Sequence, residues 1–263
     1  MVLTHHCHKE QWSVAGPVLA TIGWFIESRL SPWIHRKTTW VTVSQPSAEE
    51  FIELGVPAEN MSIIRNGVDL VPRARFQIDP SSVDTVRLVT LSRLVPHKQI
   101  EHALLALSVL VQHYPQARLD IIGDGWWLDK LREYAADVGV EPYVEFHGHV
   151  SEEQKHLILS RASIHVMPSR KEGWGLAVIE SGQHGVPTVG YRASAGLRDS
   201  VIDGQTGLLV DSEGDFINAV ESLLANEPRR RALGEAARVR AQSFSWEATG
   251  AAWEELLNQL GRK

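Results

Sequence analysis

From Val86 onward the chain alternates short runs rich in valine, leucine and isoleucine with segments of helical length, and this alternation constrains the fold more than any other feature. Short apolar runs without a polar face belong to strands covered on both sides, and parallel neighbours need a crossover long enough to hold a helix. The pattern predicts strands over residues 86–92, 118–123, 143–147, 163–168, 186–191 and 207–210. Helices are predicted over 100–113, 128–138, 152–161, 176–184 and 215–225. The fold class is therefore α/β, a doubly wound parallel sheet, whose ligands sit beyond the carboxyl ends of its strands.

Outside this region the signal is thinner. Residues 38–44 read as a strand, 46–54 as a helix and 61–64 as a short strand ending at Arg65-Asn66-Gly67-Val68-Asp69. Residues 71–85, with Pro72 and Pro80, read as a connecting loop. Two closing helices are expected over 228–243 and 246–260. With 263 residues, 43% of them hydrophobic, the chain can fill one large or two modest cores. Its formal net charge of -6 excludes a general nucleic-acid binder, so any phosphate site must be local. The single cysteine, Cys7, excludes an internal disulfide and a cysteine-rich zinc site, and fits a cytoplasmic protein. No signal-peptide pattern is visible. The apolar stretch from residue 12 to 26 is broken by Ser13, Gly16, Pro17 and Gly23, and falls short of the roughly 20 residues of a membrane span. Trp12, Trp24, Trp33 and Trp40, with Arg29, Arg36 and Lys37, leave two readings: a helix packed within a domain, or a peripheral contact with lipid headgroups at the inner face of the membrane.

The residues just after each strand carry the chemistry. Arg93 and Lys98 follow the first strand of the large domain, and a guanidinium fork with an ammonium point charge suits one diphosphate as well as a plain surface cation pair. Gly123-Asp124-Gly125 follows the second, a tight turn that lets backbone or ligand pass closely. His147-Gly148-His149-Val150 follows the third, where backbone groups of His149 and Val150 can border a planar base. After the fourth comes Ser169-Arg170-Lys171-Glu172-Gly173-Trp174-Gly175-Leu176, with Glu180 beyond it. Ser169 and Glu172 match a capping box, but the Gly-Trp-Gly that follows is poor helix sequence and places Glu172 in a loop. If Gly175 opens a helix, its first-turn N–H groups face an incoming anion, and carboxylates on either side can accept bonds from sugar hydroxyls. The alternative is a buried helix with two solvated acids. His5-His6-x-His8 lacks a nearby carboxylate or cysteine to complete a metal set, and its imidazoles can instead donate to an anionic leaving group or an acceptor hydroxyl. No nucleophile with base and orienter, no Walker loop and no Gly-x-Gly-x-x-Gly occurs.

Asn66-Gly67-Val68-Asp69, Arg93 with Lys98, Gly123-Asp124-Gly125, His147-Gly148-His149, Glu172-Gly173-Trp174-Gly175, Glu180 and Gly185-Val186-Pro187 occur in one order. Together, over residues 38–260, they resemble retaining glycosyltransferases of the glycogen-synthase-like group, family 4 type. That group has two Rossmann-like domains facing a cleft, the GT-B arrangement, and its carboxyl domain binds a nucleotide sugar. The resemblance implies that Arg93 and Lys98 hold the donor diphosphate with the amides of Trp174, Gly175 and Leu176. Glu172, beside Gly173, contacts the transferred sugar; Glu180 holds the ribose; His147, Gly148, His149 and Val150 border the base; and His5 matches a histidine near the donor sugar. It further implies hexosyl transfer with retention of configuration, no metal and no cofactor beyond the donor substrate, toward a glycan, lipid or small-molecule acceptor.

Ser92, Trp174, Ser181 and His184 depart from the group's usual small or phenylalanine residues, and His184 bears on helix packing or the sugar pocket. Only 65 residues precede Asn66, fewer than an acceptor-side domain needs. The expected division is a partial amino-terminal domain over 1–66, a nucleotide-sugar domain over 67–243 and a crossover helix over 244–263. A non-catalytic nucleotide-sugar-binding fragment, with the acceptor half on a separate polypeptide, is the alternative.

Overall fold

Two parallel sheets organise the chain in a computed structural model that describes residues 1–7, 12, 16–71 and 86–261. His8 and most of the expected 71–85 loop, with Pro72 and Pro80, lie outside the described residues. In the amino-terminal part, β1 (Val2–Leu3), β2 (Trp40–Thr42) and β3 (Met61–Ile63) pair in that order. Strand β2 is buried along its length, with Trp40 tilted against Phe51 at 5.5 Å between ring centroids. It is shorter than the expected 38–44 because Ser44 leaves the strand to cap α3 (Gln45–Glu53), accepting a bond from the Ser47 N–H while Pro46 sits in the first turn. Between β1 and β2 the chain runs through α1 (Pro17–Phe25), a π-helical turn (Ile26–Leu30) and α2 (Ser31–Ile34).

The predicted alternation forms the second sheet: β4 (Arg87–Leu91), β5 (Arg118–Ile122), β6 (Val144–Gly148), β7 (Ile164–Met167), β8 (Thr188–Tyr191) and β9 (Gly207–Val210). Every pairing is parallel, in the order β6-β5-β4-β7-β8-β9. Its connecting helices are α4 (Ile100–His113), α5 (Leu128–Asp137), α6 (Glu152–Arg161), α7 (Leu176–Gln183), α8 (Ala195–Ser200) and α9 (Glu213–Ala225). On one face Leu88, Leu119, Ile121, Ile164 and Val189 of the strands meet Leu104 and Leu107 of α4 and Phe216 and Val220 of α9. On the other, Val89 and Ile122 pack with Leu159 of α6, and Met167 with Val178 of α7 and Leu197 of α8. Helices on both faces satisfy strands that are apolar on both faces.

The chain closes with α10 (Glu227–Ala241) and α11 (Trp246–Gly261). Helices α9 and α10 begin one or two residues earlier than the apolar spacing predicts, because Ser212 and Asn226 act as side-chain caps. Helix α8 carries too short an apolar pattern to be read from periodicity. At the junction of the two sheets Arg65 forks onto Asp199 (3.0 and 2.8 Å), and the Thr249 hydroxyl donates to the Arg65 carbonyl. Gly67 passes so close to α11 that a Cβ there would lie 2.6 Å from the Trp246 backbone.

The Gly123-Asp124-Gly125 turn has a backbone role. A Cβ on Gly123, which has φ 127°, would lie 1.9 Å from the Ser92 carbonyl oxygen, and one on Gly125 would lie 2.1 Å from that of Leu94. The Leu94 N–H in turn donates to the Asp124 carbonyl at 2.9 Å. This turn presses the Ser92–Leu94 segment into place ahead of Lys98. Gly125→Ala is expected to lower unfolding free energy by about 3 kcal/mol through overpacking against backbone. Urea denaturation followed by far-ultraviolet circular dichroism checks this, and an unchanged midpoint would contradict the close approach.

Candidate active site

The strand order reverses between β4 and β7, so the loops leaving these two neighbours diverge and open a crevice at their carboxyl ends. The loop after β4 runs into a 3-10 turn at Pro96–Lys98 and then Gln99, a non-glycine residue in the left-handed region at φ 49°. This sharp turn buries Lys98 to within a tenth of its surface. Its Nζ lies 2.5 Å from Oε1 of Glu172, in the loop after β7, and the Arg170 N–H donates to the His97 carbonyl between the same loops. Arg93 is exposed, and its guanidinium makes no hydrogen bond or ion pair among the described residues. Lys98 and Glu172 therefore face each other across the crevice, with Arg93 at its rim.

Glu172 lies outside any helix, as the Gly-Trp-Gly sequence predicts. Gly175 takes up φ 92°, a conformation open to glycine, and launches α7 with no side-chain cap on its first turn. The Val178 N–H closes onto the Gly175 carbonyl at 2.9 Å, and no side chain caps the N–H groups ahead of it, at the end where a helix meets an anion. The Trp174 ring is buried edge-on to Phe244 beside Val43 and Val68, so this residue offers the crevice its backbone alone. Gly173 is gripped from the amino-terminal part: its carbonyl accepts bonds from Ser44 Oγ (2.5 Å) and Ser47 Oγ (3.3 Å). Lys171 pairs with Glu50 of α3 at 3.0 Å.

The amino-terminal histidines reach the same loop unequally. His5 is exposed, and its backbone carbonyl lies near Gly173. The His6 ring turns toward the loop, with Nδ1 3.2 Å from where a Gly173 Cβ would stand. Both histidines lie in the bend after β1, where the His5 backbone and the His6 side chain are what meet the Gly173 loop.

One turn along α7, Glu180 accepts a 2.6 Å bond from Lys155 of α6, which also reaches Glu152 at 2.6 Å. Burial opposes a charge on Lys155, but the two carboxylates outweigh it and raise its pKa. Lys155 is a site residue that pattern reading missed, for its apolar neighbours made it look like one more helix position. His184 does not enter the crevice; its Nε2 lies 2.9 Å from His156 Nδ1, tying α7 to α6. Burial, with help from His156 and Lys155, depresses its pKa to about 4.

At the end of β6 the expected base-side residues divide. The His147 ring is taken up by Asp120 at 2.8 Å, a bond that raises its pKa against the opposing effect of burial. Val150 packs on Val89 and Leu159, His149 is exposed, and Gly148 sits at φ 65°. The Gly148 carbonyl is held by the Gly123 N–H at 2.9 Å, so what this corner offers beyond the engaged His147 imidazole is the backbone from His149 on. Asp120, Glu145 and His147 place one ligand atom each within 4.8 Å of one another, the spacing of a cation site. Arg87 Nη1 already bonds both Asp120 oxygens, at 3.0 and 2.9 Å, and supplies the positive charge there.

A wholly parallel six-stranded sheet of this order, with helices on both faces and a crevice at its switch point, is the architecture of one domain of a GT-B-type fold. Solved structures agree: the Anabaena protein Alr3699/HepE in complex with UDP-glucose matches 90% of this chain and 68% of its own at a TM-score of 0.76 and 20% identity. Sucrose-phosphate synthase from Thermosynechococcus elongatus matches 85% and 58% at 0.72 and 26% identity. Residues 74–240 match the family described as glycosyl transferases group 1. The GDP-mannose-dependent alpha-(1-6)-phosphatidylinositol monomannoside mannosyltransferase of Mycolicibacterium smegmatis is 33% identical over 274 residues, covering 98% of this chain and 70% of its own length. The glycogen synthase of Mycobacterium tuberculosis is 30% identical over 93% of this chain and 66% of its own length. The chain belongs to the glycosyl transferases group 1 family. It spans 49% of a third relative, the D-inositol 3-phosphate glycosyltransferase of Corynebacterium aurimucosum.

Two outcomes follow from these contacts. Lys155→Met strands the Glu180 carboxylate and is expected to cost about 1–3 kcal/mol, most of it recovered in the double variant with Glu180→Leu. A urea-melt double-mutant cycle measures this, and additive losses would show that the pair is not coupled. The second outcome concerns acid. Burial holds His165 at about 3 and His184 at about 4, below the ordinary 6.5, so between these values the unfolded chain binds more protons. Stability is then complete above pH 6.5 and lost as pH falls toward 4, by up to about 1.4 kcal/mol per pH unit for each ring. His147, with its pKa raised, works weakly the other way. Urea midpoints at pH 7 and 5 should separate, and separate less in His184→Gln.

Proposed function

We propose that this chain carries the donor site of a retaining hexosyltransferase that takes a nucleotide-diphosphate sugar and needs neither metal nor further cofactor. The observation that carries this reading is the Lys98–Glu172 pair facing the uncapped start of α7 at the switch point. A donor diphosphate entering there takes Lys98 from Glu172, gains Arg93 and the amides of Trp174, Gly175 and Leu176, and frees Glu172 for the hydroxyls of the sugar. Glu180 then accepts from the ribose, and the backbone of Gly148, His149 and Val150 borders the base. His6, turned toward the Gly173 loop, joins His5 as a candidate for contact with the sugar or acceptor.

In the transfer itself the bond from the anomeric carbon to the diphosphate breaks as the acceptor oxygen attacks from the same face. The departing phosphate oxygen receives the acceptor's proton. The protein's part is electrostatic: two cations and a helix terminus aimed where negative charge builds up, with the sugar oriented by Glu172. This accounts for the sparing use of acid–base groups in the crevice. The relatives named above act on acceptors as different as a phosphatidylinositol mannoside and glycogen, so the acceptor is assigned only as a glycan, lipid or small molecule.

The chain spans about two thirds of the length of these two relatives, and a second reading concerns donor binding alone. On it, the chain binds the donor, and a companion polypeptide supplies the rest of the acceptor side.

Calorimetric titration with UDP, GDP and ADP, followed by assay of sugar release from the matching donors, tests both. At least one nucleotide is expected to bind, with Lys98→Ala and Glu180→Ala each weakening it roughly tenfold to hundredfold. Binding without turnover favours the second reading. Failure of all three nucleotides to bind, in a chain shown to be folded, would remove the donor site altogether.

A further inference from the structure

The outer face of the helical segment before β2 plays no part in the donor site. Its inner face is firmly seated: the Trp12 ring lies against Gly23, where a Cβ would meet it at 2.3 Å, and Trp12 Nε1 donates to Glu27 at 2.6 Å. Trp24 packs on the cluster of Trp40, Phe51 and Val56, and the Asn60 side chain holds the Arg36 carbonyl at 2.8 Å. Opposite these contacts, Val18 (69% exposed), Ile22, Phe25 (58%), Ile26 and Trp33 (66%) project to solvent at helical spacing. Arg29 continues the same face, and Arg36 and Lys37 follow it, all three exposed.

We propose that this face docks on the surface of an anionic lipid bilayer, with α1 lying in the headgroup plane. Charge singles out lipid among possible occupants. The chain as a whole is acidic, at -6. Residues 16–48 reverse that sign, with three cations and a single carboxylate, Glu27, which is turned inward to Trp12. An apolar stripe bordered by arginine, lysine and an exposed tryptophan is what an interfacial helix presents: the side chains enter the headgroup boundary while the cations meet lipid phosphates. A protein partner's interface needs no excess of one sign, whereas a surface of lipid phosphates does. No helix among the described residues is long and apolar enough to cross the membrane, so the contact is peripheral.

Flotation of the full chain with phosphatidylcholine vesicles, with and without phosphatidylglycerol, tests the proposal. Co-flotation is expected with the anionic vesicles, roughly tenfold to hundredfold above the neutral ones, and is expected to fall with added salt. Ile22→Glu with Phe25→Glu should abolish it without lowering the melting temperature, since both side chains are exposed. Arg29→Gln, Arg36→Gln and Lys37→Gln together should erase the preference for anionic lipid. Should the glutamate variant misfold, quenching of the wild-type tryptophan fluorescence by brominated lipid gives an independent readout. Absence of flotation, flotation unaffected by the glutamates, or a wild-type dimer that they dissociate in the sedimentation equilibrium of a lipid-indifferent chain would each overturn it.

Discussion

The reversal of winding between β4 and β7 is the constraint on which the rest of the molecule depends. Two adjacent parallel strands send their chains to opposite faces of the sheet, and the gap between the departing loops is a concavity that needs no residue of its own to exist. Everything chemical is then a matter of what those loops carry. The loop after β4 is bent by a 3-10 turn and the left-handed Gln99, and is backed by glycines from the next strand's loop; the loop after β7 is bent by Gly175. Lys98 and Glu172 meet because both loops are held from behind, not because their own pairing draws them together. An ion pair with both side chains about a tenth exposed contributes little net stability after desolvation. It does leave two charges poised where a charged ligand can exchange partners with them.

The loop after β7 is also shaped from across the junction. Gly173 is the turning point between Glu172 and the helix, and its carbonyl is held by two serines of the amino-terminal part, while Glu50 holds the neighbouring Lys171. The forked Arg65–Asp199 pair and the Thr249 bond to the Arg65 carbonyl fasten the same junction farther from the crevice. A change on the amino-terminal side is therefore felt at Glu172 and the start of α7 through backbone geometry.

Much of this was legible in the sequence, and the boundary of legibility is physical. Strands buried on both faces leave continuous apolar runs, so β4 to β9 and their helices other than α8 stand out, and order along the chain then places Arg93, Lys98 and Glu172 at strand ends. Caps shift boundaries by one or two residues, as Ser44, Ser212 and Asn226 show. Long-range polar contacts left no local trace. Nothing around Lys155 announces Glu180, nothing around His147 announces Asp120, and the choice between His5 and His6 depends on how the bend after β1 meets a loop more than 160 residues away. The glycine turn at Gly123 was readable as a close approach, but whether backbone or ligand approaches is decided by tertiary packing alone.

Ser44 serves two masters with one oxygen: it accepts from the N–H that opens α3 and donates to the carbonyl at Gly173. The two segments are thus a single heritable unit although 129 positions separate them. A chimera that exchanges the amino-terminal part for that of a relative, with its junction anywhere between these positions, inherits a cap and a loop that were never fitted to each other. Recombination within this fold is freest where the cut leaves Ser44 and Gly173 from the same parent.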